Sequence, residues 1–222
     1  MPTDLSLRED VERELSWEPV VRSAEIGVAV RDGVVMLTGS VDSYAVKKAA
    51  EHAAARVRGV RAVSSQLEVK PAVSAGRSDP DIAWSAANVL AWNALVPADH
   101  IRVAVSQGWV TLEGTVDWRF QRTAAEDAVA DLAGVVGVTN LINVSPPVPV
   151  EETKEEIETA LSRNAEVDAH RIVVEVHGDC VTLWGAVDSW AQREAAERAA
   201  WSAPGVREVS DHITVEAGVT VN

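Results

Sequence analysis

Residues 34–42 (VVMLTGSVD), 109–117 (WVTLEGTVD) and 180–188 (CVTLWGAVD) are three versions of one phrase. In each, alternating apolar residues run up to a glycine (Gly39, Gly114, Gly185), and an aspartate follows three residues later. Alternation marks a strand and the aspartate marks a helix N-terminus, so each phrase reads as a strand that stops at its glycine and hands over to a helix. Twenty residues beyond these glycines stand Gly59, Gly134 and Gly205, each opening an apolar segment that ends at Leu67/Val69, Ile142/Val144 or Ile213/Val215. One unit has been used three times, and the repeat governs the fold.

The 222 residues divide into units 1–71, 72–146 and 147–222. Units of that size bury limited cores, so packing against one another is expected to help them. The composition is that of a globular protein, 47% hydrophobic and 24% charged with a mean hydropathy of +0.00. Phe and Tyr each occur once, which predicts alanine- and valine-rich cores and makes the eight tryptophans conspicuous.

Net charge is −14, and it falls along the chain. Lys and Arg against Asp and Glu number 10 to 11 in the first unit, 4 to 8 in the second and 6 to 15 in the third. That gradient argues against nucleic acid, which demands a basic face, and weakens unaided attraction to anionic lipid. A single cysteine, Cys180, excludes an internal disulfide framework and suits a reducing compartment. The start, MPTDLSLREDVEREL, shows neither the basic nor the apolar region of a secretory signal, and no run approaches a membrane span. A cytoplasmic location is the expectation.

In the first unit Ser6 and Glu9 have the spacing of a capping box, and Leu7, Val11 and Leu15 make a helical stripe. Residues 26–30 alternate as a strand, Asp32-Gly33 is a hairpin signal, and Asp42 or Ser43 caps a helix carrying Ala49, Ala50, Ala53 and Val57. The second unit repeats this after Ser78 or Asp79, with Ile82, Ala86 and Leu90 as its stripe. In the third, Ile157 and Leu161 form the stripe, and Gly178-Asp179 reverses the hairpin order, which suggests a different turn type. Each unit is helix, strand, strand, helix, strand.

Gly33/Gly108, Leu37/Leu112/Leu183, the central glycines, Val41/Val116/Val187 and the pairs Gly59-Val60, Gly134-Val135 and Gly205-Val206 together resemble the BON domain of bacteria, here in tandem triplicate. The resemblance implies an α+β fold of three αββαβ units, each a three-stranded mixed sheet with two helices on one face. It also implies a non-enzymatic protein of the type associated with osmotic stress and phospholipid surfaces.

The six repeated glycines read as structural turn positions, because a phosphate cradle would need neighbouring glycines and a basic residue, and aspartates stand there instead. Trp84 lies opposite the stripe of its helix, where the other units carry Glu9 and Glu155. It is either an anchor for lipid or a partner, or a residue buried between units. Trp109, Cys180 and Trp184 alternate onto the open face of the sheet, which neighbouring units are expected to cover. Lys47 and Lys48, with Arg56, Arg58 and Arg61, surround the second helix of the first unit and could meet acidic lipid or an acidic partner. His177, Cys180 and His212 make a weak zinc signal and lack the orienting acid a nucleophile would need. The sequence points to no catalytic residue, metal or cofactor.

The leading expectation is a stress-related binding or scaffolding protein that docks on a phospholipid surface or protein partner through Trp84, with help from Lys47 and Lys48. One alternative is a sensor in which Glu151, Glu152, Glu155 and Glu156 hold K⁺ or Ca²⁺. Another is a structural protein that self-assembles into a homo-oligomer through its sheet faces.

Overall fold

The computed structural model describes residues 3–22, 25–71, 77–145, 157–159, 171–203 and 206–216. The first repeat contains α1 (Asp4–Trp17), β1 (Ile26–Arg31), β2 (Val34–Val41), α2 (Tyr44–Arg56) and β3 (Ala62–Val69). The second contains α3 (Asp79–Trp92), a 3₁₀ turn (Ala98–His100), β4 (Ile101–Ser106), β5 (Trp109–Val116), α4 (Arg119–Ala130) and β6 (Gly137–Val144). The third contains helical residues 157–159, then β7 (Ile172–His177), β8 (Cys180–Val187), α5 (Trp190–Trp201) and β9 (Glu208–Val215). The remainder of its first helix, including Leu161, lies outside the described residues, as do Gly205 and Glu151, Glu152, Glu155 and Glu156.

Each repeat forms a three-stranded sheet with the middle strand of the phrase at its centre: β1-β2-β3, β4-β5-β6 and β7-β8-β9. The hairpins β1–β2, β4–β5 and β7–β8 are antiparallel, whereas β5–β6 and β8–β9, joined through a crossover helix, are parallel. The fold is α+β with mixed sheets. The chain divides into two compact units, one of Met1–Gly39, Ala49–Gln66 and Pro147–Asn222, the other of Ser40–Lys48 and Leu67–Pro146.

The cores follow the periodicities. Leu7, Val11 and Leu15 are buried on α1, and Val35, Leu37 and Val41 on β2. Ile82, Ala86 and Leu90 of α3 pack with Val110 and Leu112 of β5, Ala125 and Val129 of α4 and Ile142 of β6. Ile157, Val174, Val181, Leu183, Ala195, Ala196 and Ile213 form the matching cluster of the third repeat. Small alanines on the crossover helix bring its backbone close to the sheet, so little bulk is needed to fill the layer.

Two local readings are corrected. The first helix begins at Asp4 and is capped by Thr3, whose Oγ1 accepts from the Ser6 N–H at 3.2 Å. Ser6 lies inside the first turn, its Oγ donating back to the Thr3 carbonyl, so it is not the cap. The phrases also do not stop at their glycines: β2, β5 and β8 continue to Val41, Val116 and Val187. Gly39, Gly114 and Gly185 are interior strand residues with φ of 126°, 150° and 144°, paired with Ile26, Ile101 and Ile172 at the start of the neighbouring strand.

The turn chemistry matches the sequence. Asp32 and Gly33, and Gln107 and Gly108, all have positive φ, which defines type I′ hairpins. Carboxylates at the start of the first helices hold these turns. Asp4 accepts from the Asp32 and Gly33 N–H groups, and Asp79 accepts from those of Gln107 and Gly108 at 2.8 Å each. In the third hairpin the positive φ falls on the first central residue, Gly178, as in a type II′ turn.

A polar contact between crossover helix and closing strand recurs with different residues. Asn140 donates to the Arg122 carbonyl and to Glu126, while Arg122 donates back to the Asn140 carbonyl. At the equivalent place Arg193 Nε donates to Asp211 at 2.6 Å while its guanidinium lies over the Trp190 ring. In the first repeat Lys47 donates to the Leu67 carbonyl, and Ser65 Oγ is buried without a hydrogen-bond partner among the described residues.

Candidate functional site: exposed aromatic faces

Helix α3 opens with a capping box. Ser78 Oγ accepts from the Asp81 N–H, and the Asp81 carboxylate takes the Ser78 hydroxyl and N–H. Those hydrogen bonds hold the Asp81 carboxyl below its ordinary pKa. From this fixed start the stripe Ile82, Ala86, Leu90 turns inward and places Trp84 on the opposite side, 72% exposed. Trp92, 89% exposed, and Leu95, 56% exposed, follow at the end of the helix and in the turn after it.

Sequence reasoning missed Trp92 and Leu95. The signal was available in residues 15–21 (LSWEPVV) and 90–96 (LAWNALV), which set a tryptophan and an aliphatic residue at matching places. Their counterparts in the first repeat, Trp17 and Val20, are also exposed. The surroundings differ, because α1 carries seven charged residues among its 14 and residues 82–98 carry none. The polar side chains within 82–98 are turned onto the chain itself: Ser85 Oγ donates to the Asp81 carbonyl, Asn88 Nδ2 donates to the Trp84 carbonyl, and Asn93 Oδ1 accepts the Leu95 N–H.

The sheet faces turned away from the helices also carry tryptophans. Trp109 and Trp184 are about half exposed, as are Val173, the register partner of Trp184, and Leu141, the register partner of Glu113. The Trp109 indole lies over Gly137, where a Cβ would fall within 2.7 Å of three ring atoms, and its Nε1 donates to Thr139 Oγ1 at 2.7 Å. Trp184 stacks on His212 across the parallel pair, ring centroids 4.2 Å apart and planes 12° apart, with His212 Nε2 3.0 Å from Ser210 Oγ. His177 and Cys180 are register partners across the hairpin. Among the described residues, no group of three or more His, Cys, Asp or Glu is placed to hold a metal ion.

Lys47, Lys48, Arg56 and Arg58 of the first repeat have internal partners. Lys47 reaches the Leu67 carbonyl, and Lys48 sits between Glu126 and Asp127 at 3.2 and 3.3 Å. Burial alone would lower the Lys48 pKa, but the two carboxylates outweigh it and leave the ammonium above its ordinary value. Arg56 pairs with Glu14 and Glu18, and Arg58 with Asp188, which also binds Arg171. The Arg122 guanidinium is pushed the other way, down from its ordinary value, by burial and by nearby Arg119.

Gly59 and Gly134 follow the crossover helices with φ of 95° each. Among the described residues, no helix is long and apolar enough to cross a membrane.

This geometry defines a tandem α+β repeat protein with exposed aromatic faces. The BON domain profile matches residues 3–71, 78–146 and 149–217, and the chain belongs to the BON domain family. It is similar to the osmotically-inducible protein Y of Escherichia coli (strain K12), 33% identical over 124 residues that cover 54% of this chain and 62% of that protein. The match spans less than two thirds of that relative's length. Among solved structures, two of CdsD, a structural protein of the type III secretion system of Chlamydia trachomatis, cover 94% and 97% of this chain and 91% and 100% of theirs. At 12% and 13% identity and TM-scores of 0.25 and 0.24, that likeness carries no argument.

Proposed function

We propose that the chain is a non-enzymatic docking protein of a bacterial stress response, which lays the outer face of α3 against a phospholipid surface. The observation that carries this reading is Trp84, held outward by a capped helix whose buried stripe is complete without it. An indole suits a membrane boundary because one end is apolar and the other carries a hydrogen-bond donor. The stress context is supported by the likeness to a relative named for osmotic induction.

Inserting a third of an indole, about 60 Å², is worth about 1.5 kcal/mol, or roughly tenfold in partitioning. Co-sedimentation with liposomes of graded anionic content is therefore expected to fall about tenfold in Trp84→Ala, with a blue shift of tryptophan emission in the wild type only. No binding at any lipid composition overturns the reading. In that event the exposed Leu141, Val173 and Trp184 favour self-association through sheet faces, seen as a mass that rises with concentration.

A further inference from the structure

We infer that the α3 face enters lipid by apolar insertion alone and therefore takes charge-neutral phospholipid as readily as anionic phospholipid. The inference rests on the docking reading above and adds the class of lipid. Its first support is charge. No charged side chain occurs from Ile82 to Ala98, and the two acids that begin the helix are engaged, Asp79 by the hairpin N–H groups and Asp81 by Ser78. Residues 72–146 carry 4 basic against 8 acidic side chains, so an anionic headgroup gains nothing by approaching. The lysines that could have supplied attraction are held, Lys48 by Glu126 and Asp127 and Lys47 by a backbone carbonyl.

The second support is hydrogen bonding, and it is independent of charge. A polar group moved into an apolar phase is costly unless it already has a partner. Ser85 Oγ, one N–H of Asn88 and the Asn93 amide oxygen have theirs within the helix and the turn after it, which lowers the cost of bringing them to an apolar layer. The same economy speaks for lipid over protein, since a protein interface carries a polar rim of directional hydrogen bonds and from Ile82 to Ala98 the polar side chains besides the two indoles are Ser85, Asn88 and Asn93 alone. The shape also suits a flat apolar layer. Trp84 and Trp92 lie eight residues apart, about 12 Å along the axis and about 80° apart around it, with half-buried Asn88 between them and the exposed, small Ala87 and Ala91 beside Trp84.

The test uses the full chain and vesicles of pure phosphatidylcholine or of phosphatidylcholine with phosphatidylglycerol, in about 0.05 M and about 0.5 M salt. Screening is nearly complete at the higher value, with a Debye length of about 4 Å. Partition is expected to agree within about twofold between the two lipids and not to weaken with salt. The double variant Trp84→Ala/Trp92→Ala should lose at least about tenfold on both vesicles. Ala87 is exposed, so charged replacements leave the fold intact. Ala87→Glu should weaken binding to both lipids, and Ala87→Lys should make it depend on phosphatidylglycerol and on low salt. Wild-type binding confined to anionic vesicles and lost in salt overturns this inference and leaves the docking reading standing. A double variant that binds like the wild type overturns both by moving the contact off α3, and so does the absence of binding to either vesicle.

Discussion

Gly114→Ala is expected to cost about 3–5 kcal/mol and to unfold the second repeat at temperatures where the wild type is native. A Cβ at Gly114 would lie 2.0 Å from the His100 carbonyl oxygen and 3.1 Å from both its carbon and Ile101 Cα. All of these are backbone atoms at the start of β4, so relief requires that strand to move, and its pairing with β5 begins at Ile101 opposite Gly114. The φ of 150° adds a conformational penalty of about 1–2 kcal/mol for an L side chain. A unit of this size holds only a few kcal/mol of net stability, so one substitution is enough. Gly108→Ala is the comparison. Its φ is 75° and the Cβ would meet the Gly134 carbonyl at 2.8 Å, in a turn that can shift, so about 1–2 kcal/mol is expected. Urea unfolding of the two variants settles the order, and a Gly114→Ala midpoint no lower than that of Gly108→Ala would sink the argument.

The same site recurs at Gly39, whose Cβ would meet the Glu25 carbonyl, and at Gly185, whose Cβ would meet that of Arg171. The repeated glycine was legible in the sequence as a conformational requirement, because it recurs where a residue that buries no side chain gains nothing from packing, unlike the recurring Leu37, Leu112 and Leu183. What stood against it was not legible. The opposing residues are Glu25, His100 and Arg171, and their chemical differences hide that the contact is made by carbonyl oxygens in every case. Helix stripes and hairpins were legible because one periodicity or one dipeptide fixes each of them. The cap of α1 was misplaced because Thr3 and Ser6 both carry competent hydroxyls three residues apart, and the sequence does not say which hydroxyl the backbone captures.

The surface was legible in part. Trp84 could be placed outward because its position is defined by a helix face and its own stripe. Lys47 and Lys48 could not be assigned partners, since Lys48 meets residues 78 and 79 positions away in the chain. Trp92 sits at the last turn of α3, where the helix angle is about to be lost and a stripe argument weakens.

The polar clamp between crossover helix and closing strand escaped the sequence for a related reason: it is Lys47 with the Leu67 carbonyl, Arg122 with Asn140 and Arg193 with Asp211, a recurrence of role without recurrence of residue. Asp211→Ala is expected to cost about 2–3 kcal/mol. Its side chain is 13% exposed, and its two oxygens accept from Arg193 Nε at 2.6 Å and from the Ile213 N–H at 2.8 Å. Truncation leaves a half-buried guanidinium with the Trp190 ring and a long contact to the Asp211 carbonyl, and it frees the Ile213 N–H. Asp211→Asn should cost about half as much, because the amide oxygen can still accept from Ile213, as Asn140 accepts from Ile142. The converse change is Ser65→Asn. In the repeat alignment set by Gly39 and Gly114, Lys47, Glu51 and Ser65 correspond to Arg122, Glu126 and Asn140, so the new amide is expected to find the partners Asn140 has and the orphaned hydroxyl disappears. A gain of about 0.5–1 kcal/mol is expected in urea unfolding. An Asp211→Ala loss below about 0.5 kcal/mol, or a destabilised Ser65→Asn, would mean that the clamp is incidental and that alanine packing alone holds the helix to the sheet.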